Sequence, residues 1–451
     1  MNTNQNHKTL DHKLTSRHLR MIALGGVIGT GLFFGLSKSI ALTGPSIILS
    51  YILGGIVMFI IMRALGEMCV YNPSSGAFSH YANEYIGKYA GFISGWNAWF
   101  EYTVVCMVEL TAISFFLDYW IHSMPHWVMC LAILIIFMNI NLINVKLFGE
   151  FEFWFAGVKV IAIISMLILS AYLIFYKHSY NQDLLSYTNP HLFFAGGLKG
   201  FAVSLVIVFF SFGGTEFVGI AAGETANPQK NIPKAINGVI VRILLFYILT
   251  VAAILCLYPF NKLSTNISPF VDVFTKIGLP SVAVIMNIVA ITAALSAFNS
   301  CLYSSSRMLY NLALNNNAFQ ILGKTSKSNT PYVAIIFTSF VVFITVIINY
   351  LFPEKALMYL LTVVTCSILI TWFMILLSQI YFRRKHAHEN LSFTLKLFPY
   401  SNIFAICVLI LVMVIMTRMD GMKYSVYITP IWIFSLSMIY VYSSRVKSSS
   451  K

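Results

Sequence analysis

About twelve long apolar runs, separated by short polar stretches, make up most of this chain of 451 residues. They lie near 19–42, 46–70, 90–121, 127–146, 153–176, 199–222, 238–260, 281–311, 332–352, 355–382, 401–419 and 425–444. Each holds about 20 residues or more, which at roughly 1.5 Å per residue spans a hydrocarbon layer of about 30 Å. The pattern predicts an all-α integral membrane protein with about twelve transmembrane helices. The first run is too long, and too many others follow it, for a cleaved signal peptide. The longest polar stretches, about 177–198, 222–237 and 312–331, are too short to hold a core of their own. Residues 1–18 and 445–451 read as polar, basic tails.

Composition agrees with the pattern and narrows it. The chain is 58% hydrophobic and 10% charged, with a mean hydropathy of +0.80, whereas soluble domains carry roughly 25% charged residues. A net charge of +14 raises the possibility of a nucleic-acid partner, but the cations alternate in density from loop to loop instead of forming one basic face. With the N-terminus placed in the cytoplasm, 20 of the 29 Lys/Arg residues fall inside, 8 outside, and Lys159 within a span. That asymmetry predicts cytoplasmic N- and C-termini and lipid, not nucleic acid, as the surroundings. Seven cysteines, an odd number, show neither CxxC nor Cys/His ligand spacing; no disulfide framework and no metal site is expected.

Two runs contain residues that a plain lipid-facing helix avoids. The first reads Gly25-Gly26-Val27-Ile28-Gly29-Thr30-Gly31, and the sixth reads Ser211-Phe212-Gly213-Gly214-Thr215-Glu216, with Gly219 and Gly223 beyond. An interior glycine costs roughly 1 kcal/mol of helix propensity, and backbone released in hydrocarbon needs other partners. Close helix packing through small residues is one explanation. The other is a binding site, in which helix ends offer N–H groups to an anion and unwound carbonyls accept from an ammonium. Interruptions paired at positions one and six favour the site, because repeat-built transporters place theirs in this way. The G-x-G spacing lacks a preceding strand and a βαβ unit, so dinucleotide binding is discarded.

Ionisable groups inside spans are costly and need a reason. Lys159 is either a snorkelling residue or a buried amine that fills a cation site and exchanges a proton. Glu216 ends the second interruption and can cap backbone, pair with a substrate amine or carry a proton. Glu101 and Glu109 share a broad face of the third run; Glu101 is the candidate pathway residue, and Glu109 falls nearer the external end, where snorkelling explains it. Glu67 and Arg63 look like an end pair or gate at the cytoplasmic side. Asp118, His122 and His126 fall in an external loop. Phe209, Phe210 and Phe212 flank the second interruption, where aromatic side chains can cover a solute. Ser296, Asn299, Ser300, Ser304, Ser305 and Ser306 give the eighth run a polar face directed at the bundle interior.

Taken together, these residues resemble the bacterial amino acid permeases of the amino acid–polyamine–organocation superfamily. The likeness runs from about Arg17 to Arg384 and rests on RHLRMIALGGVIGTG, TGPSIILSYILGGIVMFIIMRALGEMCVYNP, INLINVKLFGEFEFWF, SFGGTEFVGIAAGETANPQKNIPKA and LSAFNSCLYSSSRMLY. The resemblance implies a LeuT-type fold: two five-helix inverted repeats, about 19–176 and 199–382, with two additional helices over 401–444. It also implies secondary transport across the bacterial inner membrane, usually by proton symport, with no cofactor beyond the coupling proton. Carried over by position, Gly29, Thr30 and Gly31 would receive a substrate carboxylate. Backbone of Phe210, Ser211 and Gly213 would meet the amino group, with Phe210 as gate. Lys159 matches the family's fifth-helix lysine that stands in for a sodium ion, and Glu216 matches the sixth-helix glutamate; Glu101 joins them as a candidate for proton coupling. The run WFEYTVVCMVELTA is similar to transporters for proline, phenylalanine and other neutral residues. Amino acid exchange is the alternative reading, and monomer and homodimer both stay open. No Ser/His, paired-Asp or His/Cys constellation suggests an enzyme.

Overall fold

A computed structural model describes residues 29–449, apart from 75, 144, 223–226, 265–266, 328 and 420–421. Gly25 to Ile28 of the first glycine run, Gly223, and the tail at 1–18 therefore lie outside the described residues. Every regular element among the described residues is helical, as an open chain in lipid requires, because only a helix pairs its own backbone groups within one segment.

A π-helical turn, Gly31–Gly35, leads into α1 (Leu36–Thr43). Helix α1 stops where Gly44 takes a φ of +67°, a conformation suited to glycine, and Pro45 follows. Then come α2 (Ile47–Tyr71), α3 (Lys88–Leu117), α4 (His126–Ile143) and α5 (Val145–Phe175). The sixth run divides into α6 (Gly197–Ser211) and α7 (Phe217–Ala221). Helix α8 (Pro228–Arg242), a π-helical turn at Ile243–Ile248 and α9 (Leu249–Leu257) form the seventh. The chain continues through α10 (Pro280–Leu314), α11 (Tyr332–Val342), α12 (Ile344–Leu351), α13 (Ala356–Lys385), α14 (Tyr400–Thr417) and α15 (Lys423–Ser449).

Ten helical stretches among the described residues are long and apolar enough to cross a membrane, and Leu245–Leu257 is a shorter apolar helix. The chain is a multi-pass membrane protein. Among the described residues, the first and seventh expected spans are not separate long stretches. The described part of the first runs through the Gly44–Ser46 turn into α2 as one stretch from Leu36 to Tyr71. The seventh is divided by its π-helical turn.

Burial sorts the helices into centre and rim. The apolar window of α3 is 78% buried and that of α13 is 67% buried, against 11% in α15. Helix α3 packs along both α10 and α13. The two C-terminal helices present Phe404, Ile410, Ile431 and Phe434 outward, as lipid-facing surfaces do. The serine-rich face of α10 points inward as the sequence predicts: Ser296, Asn299, Ser300, Ser304, Ser305 and Ser306 are all buried.

Candidate functional site

The two interrupted segments meet at the centre of the bundle. A side-chain carbon added at Gly31 would stand 2.7 Å from Ser211 Cα, so the backbones touch there and only glycine permits it. Opposite, α6 ends and the chain turns through Gly213 and Gly214. The Gly213 N–H donates to the Phe210 carbonyl (2.9 Å), and Gly214 takes a φ of +92°. The Ser211 carbonyl accepts from the Tyr247 hydroxyl (2.7 Å), which reaches over from the π-helical turn of the seventh run. Each of these carbonyls keeps a second lone pair for a ligand.

Three carboxyl groups surround this meeting point, all buried. Glu216 accepts from the Gly214 N–H (3.1 Å) and from Trp372 Nε1 (3.3 Å), so it caps the interruption it ends. Glu101 accepts from Thr371 Oγ1 (2.5 Å), which in turn accepts from Asn97 Nδ2 (3.0 Å). Glu101 and Glu216 lie near one another in this cluster. Glu109, which the sequence places near the external end as a snorkelling residue, does not snorkel. It is 3% exposed and accepts from both the backbone N–H and the hydroxyl of Thr30. The helix crosses the most deeply buried part of the bundle at that depth, so its side chain turns inward instead of reaching for the headgroups.

Lys159 resolves in the same direction. Its ammonium lies in the interior and donates to Ser296 Oγ of α10 at 2.9 Å. Snorkelling is excluded, because a stem stretched toward the headgroups would leave the amine exposed. Arg63 and Glu67, read as an end pair, are only loosely paired. The ion-pair partner of Glu67 is Arg383, from the far end of α13. Arg63 instead bonds Asn237 and the Thr394 carbonyl and lies over the Phe393 ring.

A small cavity of about 30 Å³ lies among Gly29, Gly31, Glu101, Glu109, Ser211 and Gly213. It has room for about two waters. Beside it opens a vestibule of about 730 Å³, lined by Lys38, Asp118, His122, His126 and the first turns of α13. The loop residues that had no assigned role thus form its rim. Phe210 lines both spaces. The vestibule lies at the N-terminal end of α13, and Arg383 to Lys385 lie at the other end.

The structure places Gly29, Gly31, Phe210, Ser211 and Gly213 around one cavity, with Thr30 bonded to Glu109 and Glu216 to Gly214 beside it. Sequence reasoning missed Tyr247, Thr371 and Trp372, which meet the site from the seventh and tenth runs. Thr371 and Trp372 do leave a trace, as polar groups within an apolar stretch; Tyr247 leaves none. Tyr247→Phe removes the donor to the Ser211 carbonyl at a cost of about 1 kcal/mol. Substrate affinity is therefore expected to fall about fivefold, as read by binding to purified protein; unchanged affinity would exclude a role for this bond.

Residues 18–450 match the sequence profile of the family described as "Amino acid permease". The chain is 42% identical over 454 aligned positions to the "Aromatic amino acid transport protein AroP" of Escherichia coli (strain K12), covering 100% of this chain and 99% of the relative. The protein of the same description from Salmonella typhimurium (strain LT2) is 41% identical, with the same coverage. "Uncharacterized transporter YdgF" of Bacillus subtilis (strain 168) is 39% identical over 97% of this chain and 96% of its own length.

Proposed function

Because the chain belongs to the amino acid permease family, we propose that it imports neutral amino acids, chiefly aromatic ones, by proton symport. Family membership makes it a transporter and not an enzyme. The observation that carries the reading is the meeting of Gly31 with Ser211 beside a small cavity, with Phe210 lining both that cavity and a larger vestibule. Aromatic substrates are taken from the AroP relatives, and the apolar neighbours of the cavity, Tyr102, Val105, Phe217 and Ile368, suit such a side chain.

In this reading the substrate carboxylate takes N–H groups around Gly29, Thr30 and Gly31, and the ammonium takes carbonyls of Phe210, Ser211 and Gly213. Phe210 is the gate toward the vestibule. The basic end of the bundle, with Arg63 and Arg383 to Lys385, faces the cytoplasm, both termini lie there, and the vestibule faces outward. The core at 19–382 works as two inverted repeats, with 401–444 beside it, and rocking of one helical group against the other alternates access in the bacterial inner membrane. Glu101 and Glu216, together with Lys159, carry the coupling proton.

Purified protein in liposomes tests this directly. L-Phenylalanine is expected to accumulate when the lumen is made alkaline, and a panel of the twenty amino acids is expected to rank aromatic competitors first. Uptake indifferent to the imposed gradient would sink the coupling, and uptake only into vesicles preloaded with amino acid would favour exchange. Lys159→Ala removes the buried ammonium at Ser296. The expected result is loss of gradient-driven accumulation with counterflow retained; accumulation at the wild-type level would remove Lys159 from the coupling scheme.

A further inference from the structure

The Thr30 end of the first helix should greet a carboxylate, and one is already there. Glu109 Oε1 accepts from Thr30 N at 3.3 Å and from Thr30 Oγ1 at 3.0 Å. It lies 2.8 Å from the point where a side chain on Gly29 would begin, so the glycine makes room for it. The Lys159 ammonium acts on it electrostatically. The second oxygen, Oε2, is buried and has no hydrogen-bond donor among the described residues. The same side chain lines the central cavity.

A buried carboxylate satisfied at one oxygen and bare at the other is half of a site. The bare oxygen calls for an N–H donor, best a cationic one. The N–H and hydroxyl of Thr30 can serve any carboxylate equally well. An α-amino acid supplies both missing parts on one carbon: an anion for Thr30 and an ammonium for Glu109. The donor count agrees. An ammonium has three N–H bonds, and the carbonyls of Phe210 and Ser211, each with one lone pair already engaged, can take two of them. A cavity of about 30 Å³ holds roughly two waters and no amino acid, so something must move. The Glu109 side chain can turn about its own bonds without any shift of the backbone.

We propose that Glu109 occupies the substrate-carboxylate seat in the empty protein, is displaced from Thr30 when substrate binds, and then pairs with the substrate ammonium. The proposal rests on the reading of the cradle as an amino acid site. It makes Glu109 the residue that demands an α-amino group. A deaminated acid could still take the Thr30 donors, but it would leave Glu109 displaced beside a second anion with no cation between them. The rival role is a static strut that only holds Thr30 in place.

The two roles separate in the ratio of affinities for L-phenylalanine and 3-phenylpropionate, its deaminated analogue, measured on purified full-length protein. Wild type is expected to favour phenylalanine by about a hundredfold. In Glu109→Gln, phenylalanine binding should weaken by about tenfold or more, phenylpropionate binding should strengthen, and the preference should collapse. Glu109→Asp keeps the anion and is expected to keep the preference, even where its shorter reach loses Thr30. A strut would weaken both ligands together and leave the ratio unchanged in Glu109→Gln, which overturns the proposal, as does loss of the preference in Glu109→Asp. Wild-type protein that binds no amino acid would overturn the cradle reading and this proposal together; wild-type binding with an unchanged ratio in the variant overturns this proposal alone.

Discussion

Gly31→Ala is expected to lower amino acid uptake by about a hundredfold, the equivalent of about 3 kcal/mol of misfit at the site. The new methyl would stand 2.7 Å from Ser211 Cα, 2.8 Å from its Oγ and 3.0 Å from its Cβ. The nearest of these is a backbone atom, which cannot turn aside as a side-chain tip does. The Ser211 segment is held on its far side by the Tyr247 hydroxyl, and Gly31 opens a π-helical turn, a form common at functional sites. Relief must come from parting the two interrupted segments, which are the proposed walls of the cradle. Gly35→Ala is the internal control. Its methyl would meet only Ile207 Cγ2, at 3.0 Å, a side-chain atom that can yield, so uptake should stay within a few fold of wild type. Initial uptake rates at matched membrane abundance decide the matter. If Gly31→Ala transports like Gly35→Ala, the close approach of the two interruptions has no functional weight.

Much of that site was legible because membrane spans are monotonous, and departures from monotony stand out. Glycines at 29 and 31, the Ser211–Glu216 run, and Lys159 alone in an apolar stretch each cost free energy that a plain span avoids. Their clustering in space followed. The partners were not legible. Thr30 and Glu109 lie 79 residues apart, and Trp372 lies 156 from Glu216; periodicity names a face but not the neighbour on it. Helix α3 shows the limit best. Apolar residues surround it on all sides, so the pattern gave no direction for Glu109, and depth alone placed it by mistake near water. The internal breaks of the first two runs and of the seventh were hidden for a related reason. A glycine turn at Gly44 and a π-helical turn at Ile243–Ile248 alter the helices without altering the hydropathy that marks them.

The largest stability effect is expected away from the cradle, at Glu67. Its side chain is fully buried near the basic end of the bundle and gathers donors from separate parts of the chain. Gln379 Nε2 donates to Oε2 at 3.0 Å, the Leu395 N–H at 2.9 Å, and Arg383 Nη2 at 3.3 Å, while Arg383 Nε forms the ion pair with Oε1. Asn402 of α14 holds Gln379 in place through its Oε1, at 2.8 Å. One carboxylate thus ties α2, α13 and the connector before α14 together. Removing a single partner from a buried pair leaves the other charge without compensation, at about 3–5 kcal/mol; Glu67→Ala additionally orphans the Leu395 N–H. The buried thiols of Cys69, Cys301 and Cys366 provide the measurement, since unfolding in detergent exposes them to a maleimide dye. Glu67→Ala should lower the unfolding midpoint far more than Arg63→Ala, because Arg63 is partly exposed and bonds a carbonyl and an amide. The paired Glu67→Met, Arg383→Met variant should recover much of the loss, because apolar replacement of both members removes the uncompensated charge. A midpoint for Glu67→Ala equal to that of wild type would mean that the three segments are held by apolar packing alone, and the ion pair would then be a consequence of the fold and not one of its supports.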